Sequence, residues 1–284
     1  MILLAWQSNQ ELSQNKHMPI EKVVTRHGNE IAYDIKGEGP WLTLSHSLAS
    51  NMSAWDPQLS LLASHFKVLR FDTRGHGLSS APAEPYNLED LAQDVCDLFT
   101  SLRIEKTHWI GLSMGGMIGQ TLILQYPDLF HSLVLADTTS KRPENAKQMW
   151  GDRIAKAKAE GMTAMVDSTL SRWFSDEFRK SNPDTILKIA AGIASTSVNG
   201  FSGCCQAISE INTFERLKEI QCPVLILVGE HDHGAPPEMS HAMKQQMPKA
   251  IFLEIPNAGH ISNVEQATVF NQYLVDFYKS NGFL

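Results

Sequence analysis

Short apolar runs alternate with longer segments of helical period along most of the chain. The apolar runs predict strands, and the segments between them predict crossover helices. This alternation is typical of an α/β fold in which a mostly parallel central sheet carries helices on both faces. The stretch EKVVTRHGNEIAYDIKG comes first and predicts an antiparallel hairpin that turns at His27, Gly28 and Asn29. The predicted strands after it are Trp41–Ser45, Lys67–Asp72, His108–Leu112, Ser132–Asp137, Pro223–Val228 and Ala250–Ile255.

The segments between the strands carry helix signals. NLEDLAQDVCDLFTSL repeats apolar residues at helical spacing from Leu88 to Leu102. Asn87 is placed as its N-cap, with Asp90 three positions further on. Three more helices are predicted, at about Met114–Tyr126, Pro237–Met247 and Asn263–Ser280.

The alternation stops between Lys141 and Arg216, where the pattern is helical and no run resembles a strand. We interpret residues 141–216 as a helical cap inserted between the sixth and seventh predicted strands, counted with the two strands of the hairpin, and packed on a core of residues 19–140 and 217–284. Residues 1–18 are expected to form a poorly ordered leader, because a short apolar start leads into polar residues without a signal-peptide cleavage pattern.

Composition narrows the class of protein. The 284 residues carry a formal net charge of −7, which argues against a nucleic-acid partner because phosphate backbones are bound by basic faces. No apolar stretch approaches ~18 residues, so no membrane partner is expected. The cysteines lack metal-ligand spacing and are expected to be reduced thiols of a cytoplasmic protein. They are Cys96, Cys204, Cys205 and Cys222.

One short motif carries a specific chemistry. GLSMG, residues 111–115, has the form Gly-x-Ser-x-Gly between a predicted strand and a predicted helix. This is the context of a nucleophile elbow, in which two glycines permit a sharp turn that pushes a serine hydroxyl out of the sheet. Ser113 is therefore the candidate nucleophile.

A serine hydroxyl needs a base that takes its proton and an acid that orients the base. Asp232 follows one predicted strand and His260 follows the last, and the carboxyl ends of parallel strands meet at one edge of a sheet. Ser113, Asp232 and His260 are thus a candidate catalytic triad. Glu230 is the alternative acid.

The same region allows one other interpretation. His231 and His233, with His241 further on, could suggest a metal site. No matching cluster supplies the remaining ligands that a zinc site needs. We therefore expect no metal and no other cofactor.

Acyl transfer also needs backbone N–H groups that stabilise the oxyanion. The Met114 amide, at the start of the helix after Ser113, is one candidate. The second candidate is the Leu48 amide, in the loop SHSLASN after the first predicted strand of the core. His76, in DTRGHG, is expected to shape a loop.

These residues resemble the α/β-hydrolase superfamily. FDTRGHGLSS is similar to the sequence that follows the fourth strand in that family, and GLSMGG is similar to its nucleophile elbow. GEHDHGAPP and NAGHISNVEQ are similar to the turns that carry its catalytic acid and histidine. Within the superfamily, the chain from about Pro19 onward resembles the 3-oxoadipate enol-lactonases, including their cap. That likeness is carried by SHSLASNMSAWDPQ, VLRFDTRGHG, GLSMGGMIGQ, LVLADTTSK, MWGDRI and GCCQAI.

The resemblance implies hydrolysis of a small enol-lactone in the breakdown of aromatic compounds. Ser113 would attack the ring carbonyl, the enolate would leave, and water would then free the acid. Two positions beside the oxyanion loop differ from the family, which usually has asparagine in place of His46 and glycine in place of Ala49. His46 is therefore a candidate substrate-binding residue.

An enol-lactone of this class carries a free carboxylate, and an acidic protein needs a local cation to hold it. Lys141, Arg142 and Arg153, near the cap entrance, are candidates, although each also fits a solvated cap residue. Trp150 is expected either to line the pocket or to anchor the cap core. The expected partner is thus a small-molecule ester or lactone, and the sequence leaves a homo-oligomer open.

Other functions are compatible with the same triad. The alternatives are a broad carboxylesterase or perhydrolase with a more open apolar pocket, and a carbon–carbon bond hydrolase. A haloalkane dehalogenase is disfavoured, because its nucleophile is an aspartate. A function of another class is a ligand-sensing hydrolase relative with little turnover.

Overall fold

Eight strands form one sheet in the order β1-β2-β4-β3-β5-β6-β7-β8 in the computed structural model, which describes residues 19–284. The pairs β1·β2 and β2·β4 are antiparallel, and every other pair of neighbours is parallel. The strands are β1 Glu21–Val24, β2 Glu30–Lys36, β3 Trp41–Ser45, β4 Lys67–Phe71, β5 Thr107–Leu112, β6 Phe130–Ala136, β7 Val224–Gly229 and β8 Ile251–Ile255.

Helices flank the sheet, with α2 packed against α3 and α1 against α11. The α-helices are α1 Asp56–Ala63, α2 Leu88–Leu102, α3 Met114–Gln125, α4 Ala146–Glu160, α5 Val166–Trp173, α6 Asp176–Ser181, α7 Pro183–Ser195, α8 Val198–Ser209, α9 Pro237–Gln246, α10 Ser262–Glu265 and α11 Ala267–Ser280. Short 3-10 helices cover Met52–Trp55, Pro127–Leu129, Met162–Met165 and Phe214–Glu219.

The predicted α/β fold is confirmed, and the six core strands and the opening hairpin are present with ends that differ by one or two residues. Asn87 caps α2 as expected, since its side chain accepts from the Asp90 N–H while the Asp90 carboxylate accepts from the Asn87 N–H. The predicted helix Asn263–Ser280 is instead two helices. Gln266, at φ −126° and ψ 50°, leaves helical geometry and separates α10 from α11.

The middle of the sheet holds the core. Every residue of β5 and of β7 is buried, which explains why these strands read as continuous apolar runs rather than alternating ones. Trp109, Leu133 and Ile226 on adjacent strands are fully shielded from solvent. Each such side chain contributes roughly 1.5–3 kcal/mol through removal of apolar surface from water.

Helices α4 to α8 form the inserted helical region, between β6 and β7. The division at residues 141 and 216 remains a prediction, and the proposed leader of residues 1–18 lies outside the described residues. Helix α8 meets the core backbone to backbone, because a Cβ on Gly200 would fall on the Gly75 carbonyl, and a Cβ on Gly75 on the Gly200 backbone. Among residues 19–284, no helix is both long and apolar enough to cross a bilayer.

We predict that Gly200→Ala destabilises the protein although alanine is the better helix former. The added methyl has no room against Gly75, and overpacking of this kind costs about 1–3 kcal/mol. Gly151→Ala in α4 is the matched control: its Cβ would meet nothing within 4 Å, so a gain of up to about 1 kcal/mol is expected. Urea unfolding measures both. Equal stability of the two variants would contradict the close approach.

Candidate active site

Ser113 lies in a sharp turn between β5 and α3. Its backbone has φ 53° and ψ −112°, outside the regions that non-glycine residues normally occupy. The neighbouring glycines make the turn possible: a Cβ on Gly111 would fall on the Gly115 carbonyl, and a Cβ on Gly115 on the Ser45 carbonyl. The turn is anchored by a bond from the Ser113 N–H to the Ala136 carbonyl at 2.8 Å.

The structure brings Ser113, His260 and Asp232 into one chain of hydrogen bonds. His260 Nδ1 lies 2.9 Å from each carboxylate oxygen of Asp232, and His260 Nε2 lies 2.9 Å from Ser113 Oγ. A carboxylate facing Nδ1 holds the proton on that nitrogen. Nε2 is then free to accept the Ser113 hydroxyl proton.

Burial and charge set the basicity of the histidine. His260 and Asp232 are 7% and 2% exposed. Burial is the largest single influence and lowers the pKa of His260, but the charge and hydrogen bond of Asp232, together with Asp137, outweigh it, so the pKa is raised. The Asp232 Oδ1 atom also accepts the Gly234 and Ala235 N–H groups, at 2.6 and 2.9 Å. These bonds satisfy a buried anion and fix its direction.

The geometry of this loop supports neither Glu230 as the acid nor a metal site at its histidines. The Glu230 carboxylate is half exposed and accepts the Asn257 N–H at 3.0 Å, rather than facing His260. His241 pairs with Glu254 at 3.1 Å, and His231 lies 3.8 Å from Glu230. Within residues 19–284, no group of three or more His, Cys, Asp or Glu side chains is arranged to hold a metal.

The two candidate oxyanion donors belong to residues near Ser113: Met114 follows it in the chain, and Leu48 lines the same cavity. Met114 begins α3, so its N–H has no partner within the helix. Leu48 lines the cavity around Ser113, and the hydrogen bonds of the described residues do not use its N–H. Its neighbour Ala49 has φ 57°, a conformation that favours glycine, the residue usual in the resembled family.

Two buried histidines support this loop. His76 Nε2 accepts the Ala49 N–H at 3.0 Å, and His46 Nε2 accepts the Thr73 N–H at 3.0 Å. Each Nδ1 faces a carbonyl, that of Ser47 for His46 and that of Arg74 for His76. Burial lowers the pKa of His46 to about 4 and that of His76 to about 3. Both rings are therefore neutral at pH 7 and act as acceptors of backbone hydrogen bonds.

The structure does not bring His46 into contact with the substrate space. Its side chain is fully buried and it is absent from the residues that line the cavity. The ring turns inward because both its nitrogens bond to backbone. The expectation that His46 binds substrate is therefore corrected: it supports the loop from behind.

A cavity of about 340 Å³ opens above Ser113 and His260, between the sheet and the inserted helices. Trp150 lines it, as one of the two sequence interpretations expected. Other apolar side chains on its walls are Leu48, Met117, Met149, Trp173, Ile208 and Ile211. The cavity is large enough for a small ring with a short side chain.

The cations around the cavity differ from the predicted set. Lys141 lies outside it, with its ammonium 5.8 Å from the Phe214 ring. Arg142 lines it but forms an ion pair with Glu210. Arg153 also lines it.

Arg172 is a further cation of the cavity wall. Sequence analysis missed it because it lies in a segment of helical pattern that contains no motif. Neither Arg153 nor Arg172 forms an ion pair within residues 19–284. Arg153 stacks 4.9 Å from the Trp150 ring. Burial, together with the nearby Arg172, lowers the pKa of Arg153 to about 10. An anion between these two guanidiniums would relieve their mutual repulsion.

Comparison with known proteins agrees with this geometry. A family model described as the alpha/beta hydrolase fold matches residues 40–267. The chain belongs to the α/β-hydrolase family. It is 34% identical to 3-oxoadipate enol-lactonase 2 of Acinetobacter baylyi over 239 residues, which are 83% of this chain and 87% of that relative. It is thus a hydrolase-family protein related to enol-lactonases.

Solved structures give the same family. The crystal structure of the enol-lactonase from Burkholderia xenovorans LB400 matches with a TM-score of 0.88 and 35% identity, covering 91% of this chain and all of that one. A thermophilic esterase from Thermogutta terrifontis, bound to malate, matches with a TM-score of 0.87 and 27% identity, covering 92% and 98% of the two chains. The family thus includes both lactone and ester hydrolases of this shape.

We predict that the neutral histidines make the fold acid-sensitive. Their folded pKa values lie below the unfolded value of about 6.5, so the unfolded chain binds protons first and stability falls as the pH drops from about 6.5 to 4. Each histidine contributes up to about 1.4 kcal/mol per pH unit. The free energy of unfolding, measured with urea, should fall less between pH 7 and 5 in His46→Asn than in the wild type. The exposed His65→Asn is the control, and an unchanged loss in His46→Asn would refute the assignment.

Proposed function

We propose that this protein is a serine hydrolase of carboxylic esters that acts, through an acyl-enzyme on Ser113, on a 3-oxoadipate enol-lactone or a close analogue. The observation that carries the proposal is the hydrogen-bonded chain Ser113–His260–Asp232, whose first two members line a cavity together with two arginines that form no ion pair within residues 19–284. Relatives named as 3-oxoadipate enol-lactonases support the substrate class.

The first half of the reaction forms the acyl-enzyme. Ser113 Oγ attacks the lactone carbonyl carbon while His260 Nε2, 2.9 Å away, takes the hydroxyl proton. The Asp232 carboxylate stabilises the imidazolium that forms. The tetrahedral oxyanion receives hydrogen bonds from the Leu48 and Met114 amides, which already point to the position where the negative charge develops.

Collapse of the tetrahedral species breaks the ring C–O bond. The enolate oxygen takes the proton from His260 and becomes an enol that stays attached to the acyl chain, so His260 is neutral again. Water then attacks the Ser113 ester with His260 again as base, and the second tetrahedral species releases the carboxylic acid and restores the serine. One water molecule is consumed. Because the substrate is a ring, the enol remains part of the acyl group on Ser113 until this step releases the product.

The free carboxylate of the substrate is assigned to the guanidiniums of Arg153 and Arg172. Both line the same cavity as Ser113 and lack an acidic partner in the described chain, whereas Arg142 is already paired with Glu210. Carboxylate–arginine hydrogen bonds are among the strong ones, because both partners are ionised. This contact would orient the ring so that its carbonyl faces the serine.

A broad carboxylesterase is the second candidate. The observation in its favour is the run of apolar side chains on the cavity wall, such as Met117, Met149 and Ile208, which suits acyl chains without a charge. The similarity to an esterase structure at a TM-score of 0.87 agrees with it. Relative rates on charged lactone and neutral esters separate the two.

The first test compares kcat/KM on 3-oxoadipate enol-lactone with that on p-nitrophenyl acetate and butyrate. We expect the lactone to be preferred by orders of magnitude. Ser113→Ala should lose several orders of magnitude in kcat with near-native folding, and Asp232→Asn up to about 10⁴-fold. Retained activity in Ser113→Ala would end the serine mechanism, whereas an equal or higher rate on the acyclic esters would favour the carboxylesterase.

The second test concerns the carboxylate contact. Arg153→Gln should raise KM for the lactone about tenfold or more, because a charged hydrogen bond contributes about 1.5–3 kcal/mol. The same variant should change KM for p-nitrophenyl acetate little, since that ester has no carboxylate. Arg142→Gln, whose wild-type side chain is paired with Glu210, is the matched control. An equal loss on both substrates in Arg153→Gln would contradict the assignment.

A further inference from the structure

A buried carboxyl group that the mechanism above does not use lies behind the catalytic residues. Asp137 follows β6, is fully shielded from solvent, and has a left-handed backbone at φ 47°. It forms no ion pair within residues 19–284. Burial of a carboxyl group without a cation costs folding free energy, and such groups cluster at functional sites.

The hydrogen bonds of Asp137 reach both loops that carry its catalytic neighbours. Its Oδ1 accepts the N–H of Gly229, the last residue of β7 and three positions before Asp232, at 2.8 Å. Its Oδ2 lies 2.5 Å from the hydroxyl of Ser262, two positions after His260, and 3.3 Å from the Ser262 N–H. One side chain therefore joins the acid loop to the histidine loop.

The backbone around Asp137 reaches the third loop. The Ala136 carbonyl accepts the Ser113 N–H at 2.8 Å, and the Thr138 hydroxyl donates to the Ser113 carbonyl at 2.6 Å. Three consecutive residues at the end of β6 thus touch all three loops of the triad. Because Asp137 adds bonds to both the acid loop and the histidine loop from behind the triad, beside the direct bond from the His231 N–H to the Ala258 carbonyl, a change in Asp137 is expected to alter their relative position.

We propose that Asp137 is a positioning residue that holds the Asp232 loop and the His260 loop in the alignment that the proton transfer requires. The inference rests on the proposed serine mechanism. Asp137 also acts electrostatically: burial first, and then the negative charge of Asp232, raise its pKa to about 8, so its own charge is coupled to those of the triad. The other charged groups that face His260 are Asp232 and, from α5, Arg172.

The test uses p-nitrophenyl acetate, so that it does not depend on which lactone is the substrate. Asp137→Ala should lower kcat at least tenfold, with KM within about twofold, because Asp137 does not line the cavity. Asp137→Asn should recover part of the loss, since an amide oxygen can accept the Gly229 N–H and its NH₂ can donate to the Ser262 hydroxyl. Thermal melts establish that each variant is folded.

A double-mutant cycle separates positioning from a general effect on the fold. If Asp137 acts through the triad, Asp137→Ala should change kcat by less than twofold in an Asp232→Asn background, as expected for residues that work as one unit. If the double variant instead loses kcat by the product of the two single-variant factors, the proposal is overturned. It is also overturned if the kcat of Asp137→Ala lies within twofold of wild type. If Asp137→Ala does not fold, Ser262→Ala is put through the same cycle with the same criteria. Activity retained by Ser113→Ala would instead refute the serine mechanism itself.

Discussion

The site depends on the close backbone contact between the elbow at Ser113 and the end of β3. No side chain fits at Gly111 or Gly115, because a Cβ there would meet the Gly115 or Ser45 carbonyl. The same contact that permits the strained turn therefore sets how far Ser113 lies from the loop that starts at Ser45 and carries the Leu48 amide. The candidate nucleophile and the candidate oxyanion donor are thus positioned by one shared constraint.

Buried polar groups hold the remaining loops. The Asp232 carboxylate accepts backbone amides of its own loop, Asp137 bonds across two loops, and His76 holds the Ala49 amide. A buried donor or acceptor left without a partner costs about 1–3 kcal/mol, so these bonds favour the observed conformation of each loop. The loops have no helix or strand of their own, but these few groups fix their conformations. That rigidity is what a preorganised catalytic site needs.

The sequence predicted what depends on local pattern. Strand ends, the elbow and the positions of Asp232 and His260 after strands follow from short-range periodicity and from the rule that parallel strands present their carboxyl ends at one edge. The structure then brings His260 within 2.9 Å of Ser113, 147 positions away. Their roles in catalysis stay proposals.

The side-chain surroundings could not be predicted in the same way. His46 lies in the predicted oxyanion loop, but its ring direction depends on the partners that Thr73 and Ser47 provide, and it faces away from the cavity. Arg172 lies in α5, and the packing of the inserted region decides which side of that helix borders the cavity. Asp137 was assigned only as a strand end, because nothing in LVLADTTSK indicates that Gly229 and Ser262 meet it.

The charges of the cavity link substrate binding to the proton transfer. Burial and, more weakly, Arg172 on the wall of the same cavity lower the pKa of His260, while Asp232 and Asp137 raise it. A substrate carboxylate bound at Arg153 and Arg172 would neutralise the positive charge that opposes protonation of His260. The imidazole would then become a stronger base once the charged end of the substrate is in place. An uncharged ester cannot supply this effect, so the proposed contact with the two arginines would favour an anionic substrate both in binding and in the chemical step.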